Sequence, residues 1–217
     1  MFDDYLNHPK KIKSFFETYP FHKKSADSYI TSFQFNGKRD QTVELLKAFN
    51  KNFDAEEITM RQIEKIRNKD TLTVVTGQQL TIYGGPLFTV YKIMSAIVQA
   101  RKLEKMYNRT VIPVFWLADE DHDYEEASRL GILDRDDWHL LSFQLPENNH
   151  QLVGRIVLDE DFKSFREEIK KYLFDTDFTG ELTNLLDTCY RPGSSFREAF
   201  GKLILKLFAK HGLVLAG

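Results

Sequence analysis

The fold is decided by residues 71–118, TLTVVTGQQLTIYGGPLFTVYKIMSAIVQARKLEKMYNRTVIPVFWLA. Its ends, Thr71–Thr76 and Val111–Ala118, are short apolar runs rich in β-branched residues, as buried strands are. Between them, Pro86 suits the first position of a helix that runs to Tyr107-Asn108. The apolar stripe of this helix is predicted to consist of Leu87, Val90, Tyr91, Met94, Ile97 and Val98. The order strand, helix, strand predicts a βαβ crossover and therefore a parallel sheet in an α/β protein.

Composition excludes several classes of protein. The 217 residues include 30 Lys+Arg and 32 Asp+Glu, a near-balance that argues against a generic nucleic-acid binder. The single cysteine, Cys189, excludes an intrachain disulfide and a Cys-rich zinc site. No apolar run approaches the ~18–20 residues of a membrane span, and the acidic start Met1–Asp4 is unlike a signal peptide. We therefore expect a cytoplasmic protein with neither nucleic-acid nor membrane partners.

The other segments predict two additions to this unit. Residues 1–70 are polar and helical in pattern, which predicts a helical N-terminal appendage to a core of residues 71–217. An insertion is expected around residues 134–180, where Leu140–Leu145 and Leu152–Leu158 have the pattern of a small β-hairpin followed by helices. A later helix begins at Ser194, or at Ser195 with Glu198 at the capping-box spacing.

The loop Thr76–Pro86 is the first candidate site. It leaves a strand and enters a helix, so it lies at the carboxyl end of the sheet, where α/β proteins bind ligands. The free N–H groups of a helix start favour an anion, and glycines 77, 84 and 85 let the backbone approach a ligand. Neither a Walker loop nor a G-x-G-x-x-G pattern is present. Spacing alone therefore supports a ligand loop and an ordinary connection about equally.

Lys92 lies on a polar side of the same helix. Side chains in a helix point toward its N-terminus, so Lys92 could place an ammonium group beside the anion site. The alternative is a solvated lysine, which is the commoner case.

The second candidate site is the acidic stretch Asp119–Glu126, DEDHDYEE. It follows the second strand, so a parallel sheet places it beside the first loop. Its carboxylates and histidine suit a hard cation, a general base or ammonium recognition, although the spacing matches no metal signature. The alternative is a solvated acidic surface. A third candidate, Arg191–Ser195, is either a helix-start site or an ordinary cap.

Several of these stretches closely resemble the cysteine-adding enzymes of bacillithiol synthesis, the BshC family. The resemblance rests on Thr76–Gln79, on Gly85–Lys92 (GPLFTVYK), on Val114–Glu126 (VFWLADEDHDYEE), and on Tyr190–Gly193 with Ser195–Phe200. It covers essentially the whole chain and is weakest before residue 70.

The resemblance implies a Rossmann-like core. The family joins cysteine to the sugar amine of glucosaminyl-malate, the last step in making bacillithiol, and forms a homodimer through a C-terminal coiled coil. Its members continue well beyond Gly217, so the core of this chain is expected to be incomplete. The cosubstrate that activates cysteine stays unknown, and ATP is suggested only by analogy of fold.

The same resemblance supports a specific set of candidate site residues. None of them is expected to bind a metal. The expected substrate-binding residues are Thr76, Gly77, Gln78, Gln79, Gly85, Thr89, Lys92, Asp119 and Arg191. The expected catalytic residues are Glu120, Asp121 and His122. Two other functions stay open: a non-catalytic Rossmann-like fragment that binds a nucleotide or small acid, and a nucleotidyltransferase with a divalent metal at the acidic stretch.

Overall fold

The computed structural model describes residues 2–15, 23–33, 35, 37–135, 137–144 and 151–217. The chain divides into two compact units, residues 1–37 and residues 38–217. The described part of the first unit contains helix α1 (Phe2–Asn7), a 3-10 helix (Pro9–Phe15) and helix α2 (Lys23–Ser32).

The second unit contains a sheet, a hairpin and their helices. Its elements are α3 (Arg39–Lys51), α4 (Glu57–Lys65), β1 (Leu72–Gln79), α5 (Leu87–Tyr107), β2 (Val111–Ala118), α6 (Tyr124–Ser128), β3 (Arg129–Leu133), β4 (Trp138–Ser142), α7 (Asp161–Lys170), α8 (Thr179–Cys189), α9 (Phe196–Phe208) and β5 (Val214–Ala216). Short 3-10 turns occupy Ile82–Gly84, Val153–Arg155 and Ala209–His211.

The predicted βαβ crossover is confirmed. Strands β1 and β2 pair in parallel, with Leu72 opposite Val111 and Gln79 opposite Ala118. Strand β5 adds in parallel to the other side of β2, giving the order β1-β2-β5. The fold is therefore the α/β Rossmann-like class that the sequence predicts.

The central strand β2 is covered on both faces. Phe115 and Leu117 belong to one core cluster with residues of α5 and α9. Ile112 and Val114 belong to a second cluster with Val43 of α3 and with Ile63 and Ile66 of α4. Burial on both faces explains why β2 is an almost continuous apolar run.

Helices α3 and α4 precede residue 70 but lie in the same compact unit as the sheet. The buried Asn50 side chain of α3 covers the outer edge of β5: its Oδ1 accepts from the Leu215 N–H at 3.1 Å, and its Nδ2 donates to the Leu215 carbonyl at 2.8 Å. The amide thus satisfies both backbone groups that an edge strand exposes at this position. The division into an appendage before residue 70 and a core after it stays a prediction.

Helix α5 has the predicted bounds, but its predicted apolar stripe is only partly right, since Ile97 is buried and Val90 packs against the core while the other four residues do not. Leu87, Tyr91, Met94 and Val98 are exposed, between 47% and 63%. The packed face carries smaller or β-branched residues instead: Thr89, Ile93, Ala96, Ile97 and Ala100. These residues let the helix approach β1 and β2 closely, so the larger side chains of the predicted stripe point outward.

A hairpin forms, but it is not the predicted pairing: of the two predicted strands only residues 140–142 belong to it, in β4. It joins β3 and β4, with Leu133 opposite Trp138, and its turn is closed by the Asp137 N–H donating to Asp134 Oδ1 at 2.9 Å. The segment expected as its second strand, Leu152–Leu158, contains the Val153–Arg155 turn. Its backbone is held by the acidic stretch: the Val153 N–H donates to the Asp121 carbonyl at 2.9 Å. Residues 145–150, which include most of the predicted hairpin loop, lie outside the described residues.

No helix in the described ranges is both long enough and apolar enough to span a bilayer.

Candidate functional site

The two main candidate segments meet at one edge of the sheet. Gln79 ends β1 and Ala118 ends β2, and these residues are register partners. The acidic stretch therefore starts beside the glutamine pair, as the parallel sheet predicts. Strand β1 extends beyond the predicted end at Thr76, so Gly77, Gln78 and Gln79 lie in the strand rather than in the loop.

A chain of hydrogen bonds joins the two segments. Lys92 Nζ of α5 donates to Gln78 Oε1 at 3.0 Å, and Gln78 Nε2 donates to Gln79 Oε1 at 3.4 Å. Gln79 Nε2 in turn donates to Asp121 Oδ2. The Lys92 ammonium also lies 5.6 Å from the centroid of the Phe88 ring, a cation–π distance. A cation and a carboxylate thus lie at the two ends of a chain of four side chains along the sheet edge. We call this chain, Lys92–Gln78–Gln79–Asp121, the relay.

Asp121 is held as a carboxylate. Besides the Gln79 amide, its Oδ1 accepts the backbone N–H groups of His122 at 2.7 Å and Asp123 at 3.3 Å. The Gln79 amide, and next the His122 N–H, lower the pKa of Asp121 below its ordinary value. A carboxylate with a lowered pKa is a weak base at neutral pH but a good partner for an ammonium group.

Asp119 is held by a residue that sequence reasoning did not assign to the site. Arg197 Nη1, in the first turn of α9, donates to Asp119 Oδ2 at 2.9 Å. The Ser195 cap was the available signal: Ser195 Oγ accepts the Glu198 N–H at 3.1 Å, which confirms the second of the two predicted helix starts. This cap fixes where α9 begins and hence places Arg197 in its first turn.

Two buried hydroxyl groups lie at the entrance to α5, one in the loop before the helix and one in its first turn. Among the described residues, Thr81 Oγ1 and Thr89 Oγ1 have no hydrogen-bond partner. Both lie near Gly85, where a Cβ would overlap Thr81 Oγ1 and lie 3.4 Å from Thr89 Oγ1. Gly85 also has a φ of +76°, which L side chains rarely adopt. An unsatisfied buried hydroxyl costs about 1–3 kcal/mol, so a polar group of a ligand entering this helix start would relieve that cost.

Packing within the sheet explains why position 77 is a glycine. A Cβ at this position would lie 2.9 Å from the Trp116 carbonyl oxygen of the neighbouring strand. Close packing of β1 on β2 therefore accounts for this glycine without a ligand.

Other candidate residues have no direct side-chain link to the relay in the described structure. Glu120 and His122 are exposed at the sheet edge. Arg191 is exposed in the turn before α9, where its N–H donates to Ser194 Oγ at 3.3 Å. Thr76 is partly buried opposite Phe115 in the register. Roles for these four residues stay predictions.

The acidic stretch is divided among separate partners. Asp123 Oδ1 accepts the Glu126 N–H at 2.9 Å and caps α6, and Glu125 pairs with Arg129. Within the described ranges, no three His, Cys, Asp or Glu side chains are grouped so that they could hold a metal ion.

A parallel α/β sheet with a glycine-rich helix start and a polar carboxyl edge is typical of a Rossmann-like domain. The family model described as "Bacillithiol biosynthesis BshC, N-terminal Rossmann-like domain" matches residues 1–217. The chain belongs to this family.

Three curated relatives illustrate the match, and each carries the name "Putative cysteine ligase BshC". The relative from Chlorobaculum tepidum is 36% identical over 185 residues, which cover 83% of this chain and 32% of that protein. The relative from Koribacter versatilis is 35% identical over 216 residues, covering 99% of this chain and 40% of that protein. The relative from Bacillus cereus is 30% identical over 218 residues, covering 98% and 40%. The chain thus spans 32–40% of the length of these relatives.

Proposed function

We propose that this chain is the N-terminal core portion of a cysteine ligase that joins the carboxyl group of cysteine to the amine of glucosaminyl-malate, forming bacillithiol. The observation that carries the proposal is the relay Lys92–Gln78–Gln79–Asp121. It sets a cation and a carboxylate along one ligand-binding edge, as a substrate with both carboxylate and ammonium groups requires. Membership of the BshC family and the name of the relatives support the same reaction.

The chemistry divides between the two ends of the relay. Amide formation needs an activated carboxyl group, a neutral amine and stabilisation of the charge that develops on the acyl oxygen. We assign the α5 end, with Gly85, Thr89 and Lys92, to binding substrate carboxylate or phosphate groups, because it combines a helix N-terminus, unpartnered hydroxyls and a cation.

The other end handles the amine. We assign ammonium binding to Asp121 because hydrogen bonds lower its pKa and hold it in the charged form. We assign proton removal to His122, because imidazole is the commonest general base in enzymes and this ring is exposed at the same edge. The neutral amine then attacks the activated carboxyl carbon: the C–N bond forms, and the activating group leaves with the electron pair of its bond to that carbon. Activation needs a cosubstrate, for which analogy of fold suggests ATP.

The wider setting is part of the same proposal. We place the reaction in the cytoplasm, with cysteine and glucosaminyl-malate as small-molecule substrates and with neither nucleic acid nor membrane as partner. A homodimer is proposed by analogy with the family.

Calorimetric titration of the 217-residue chain with glucosaminyl-malate tests the binding roles. We expect saturable binding that Asp121→Asn weakens about tenfold or more, since a hydrogen bond to a charged group contributes roughly 1.5–3 kcal/mol. Gln99→Ala, an exposed change on the outer part of α5, is the matched control and should bind like the unchanged chain. If the unchanged chain does not bind glucosaminyl-malate, the proposal is wrong.

Mass spectrometry of the same chain with cysteine and ATP added tests the catalytic role. Bacillithiol should form, and His122→Ala should slow its formation; unchanged turnover would remove His122 from catalysis. The second candidate function is a non-catalytic module in which the cation, the hydroxyl groups and the carboxylate of this edge bind a small acid without reaction. Binding of glucosaminyl-malate without any product would support that module over the ligase.

A further inference from the structure

We propose a second binding site, for a phosphate group, at the opposite end of the sheet. A cavity of about 230 Å³ lies between α4, α5 and the Ala209–His211 turn. It includes Val111 and Pro113, at the start of β2, whereas the relay lies beyond the end of that strand. Eight strand residues at about 3.3 Å per residue separate the two sites by roughly 23 Å.

The lining of this cavity is strongly cationic in a chain that is nearly neutral. Lys65, Arg101, Lys210 and His211 contribute basic groups, and Glu104 contributes one carboxylate. Lysine and histidine near helix ends can be explained by the helix dipole. Arg101 lies in the interior of α5, so the dipole does not account for it.

The basic side chains around the cavity are exposed, and they differ from several other cations of the described residues in their ion pairs. Arg67, Arg197 and Lys202 all pair with carboxylates. In the described part of the chain, by contrast, no ion pair involves Lys65, Arg101 or Lys210. Three cations against the single carboxylate of Glu104 leave this concavity with an excess of positive charge, which raises the local concentration of anions.

Arg101 is also oriented for recognition. Its Nη2 lies 3.0 Å from Nδ1 of His211, so the guanidinium group is tied to the turn on the far side of the cavity. A guanidinium group presents its remaining N–H donors in a plane that matches two oxygens of a phosphate group. The lysines add point charges around it.

Size limits the class of ligand. Sites for drug-sized ligands have volumes of about 300–1,000 Å³, and this cavity is smaller. It suits inorganic phosphate or a phosphate monoester with a small organic part, and it is too small for a nucleoside triphosphate.

Two-dimensional ¹H–¹⁵N spectra of the 217-residue chain test the site, with inorganic phosphate added at constant ionic strength. We expect saturable shifts at the amides of Gln62, Arg101 and Gly212. The double variant Arg101→Ala/Lys210→Ala should weaken these shifts at least tenfold. The matched control Lys102→Ala/Lys105→Ala removes the same charge from the same region of α5, outside the cavity lining, and should leave the shifts intact.

Three results would overturn the site: no saturable shift at these amides, equal weakening in both double variants, or shifts confined to residues 85–92. The last result would assign phosphate binding to the proposed ligase site alone. The phosphate site of the cavity would then be wrong while the proposed function would stand. A parallel titration with glycerol phosphate identifies the source of the phosphate group, since tighter binding than that of inorganic phosphate indicates a monoester. Arg101→Lys keeps the charge but removes the planar set of donors, so it should bind phosphate with intermediate affinity. Such graded binding would show that the weaker shifts of the double variant reflect lost recognition rather than unfolding.

Discussion

Gln79 is the residue that most directly links the two halves of the candidate site. It ends β1, and its amide donates to Asp121 while accepting from Gln78. The β-branched run before it predicts a strand that ends at Thr76, so the sequence places Gln79 in the following loop rather than at the last position of the strand. Its partner could not be predicted either, because Asp121 lies 42 positions later and only the register of β1 with β2 brings the two together.

Replacing Gln79 with alanine should raise the pKa of Asp121 toward its ordinary value of 3.8, because the first cause of the lowered pKa is removed. The sign follows from linkage. A lowered carboxyl pKa adds stability above the ordinary pKa, and that stability is lost as pH falls through the folded-state value. The Gln79→Ala variant should therefore be less stable than the unchanged chain at neutral pH. Its stability should also fall less than that of the unchanged chain as the pH is lowered. A ¹³C carboxyl titration by NMR measures the pKa.

Gln99→Ala serves as the control for this titration, since Gln99 is exposed on α5 and away from the relay. An Asp121 pKa that is the same in both variants and in the unchanged chain would show that the Gln79 amide does not hold the carboxylate.

Helix α5 shows where pattern reasoning is limited at the scale of an element. Its bounds could be predicted, because Pro86 precedes it and Asn108, with a φ of +50°, ends it. The buried side could not, because apolar residues occur on opposite sides of the helix and the larger ones form the more visible stripe. The sheet packs against the side of α5 that carries Ala96 and Ala100, because these small side chains let the backbones of the helix and the strands approach closely.

Adjacent substitutions test this orientation. Ile93→Ala should lower the free energy of unfolding by about 2–5 kcal/mol, because Ile93 is fully buried in the main core. Met94→Ala should change it by about 0.5 kcal/mol or less, since Met94 is exposed. Urea denaturation of both variants measures the difference.

The reverse order of effects would mean that the stripe predicted from the sequence is the packed one. Equal effects would contradict a one-sided contact of α5 with the sheet.

At the scale of the whole molecule, helices α3 and α4 decide how the chain divides. They supply Val43, Ile63 and Ile66 to the cluster that covers Ile112 and Val114 of β2. Their polar, helical sequence gives no sign of this partner. Contacts between residues so far apart in the chain are visible only once the sheet is formed.

Two shortened chains test the division. Residues 38–217 should unfold cooperatively, because they form one compact unit. Residues 71–217 should lose the cooperative transition, because Ile112, Val114 and Val214 would lose their cover. Each such side chain contributes about 1.5–3 kcal/mol on burial, which together approaches the 5–15 kcal/mol of a typical domain. Urea denaturation followed by circular dichroism measures both transitions.

A cooperative transition of the 71–217 chain with the stability of the longer one would support the predicted boundary at residue 70 instead. Failure of the 38–217 chain to unfold cooperatively would contradict the division at residue 38.

The sequence by itself determined the βαβ crossover, the parallel α/β class, the edge of the sheet that carries the polar residues, and the resemblance to the BshC family. These follow from local composition, from strand and helix period, and from motifs read within short windows. Only the tertiary structure decided which side of α5 packs, which segments form the hairpin, that Arg197 holds Asp119, and that Lys92 and Asp121 share one relay. Each of these depends on the register of strands and on shape complementarity between distant segments, which no local pattern encodes.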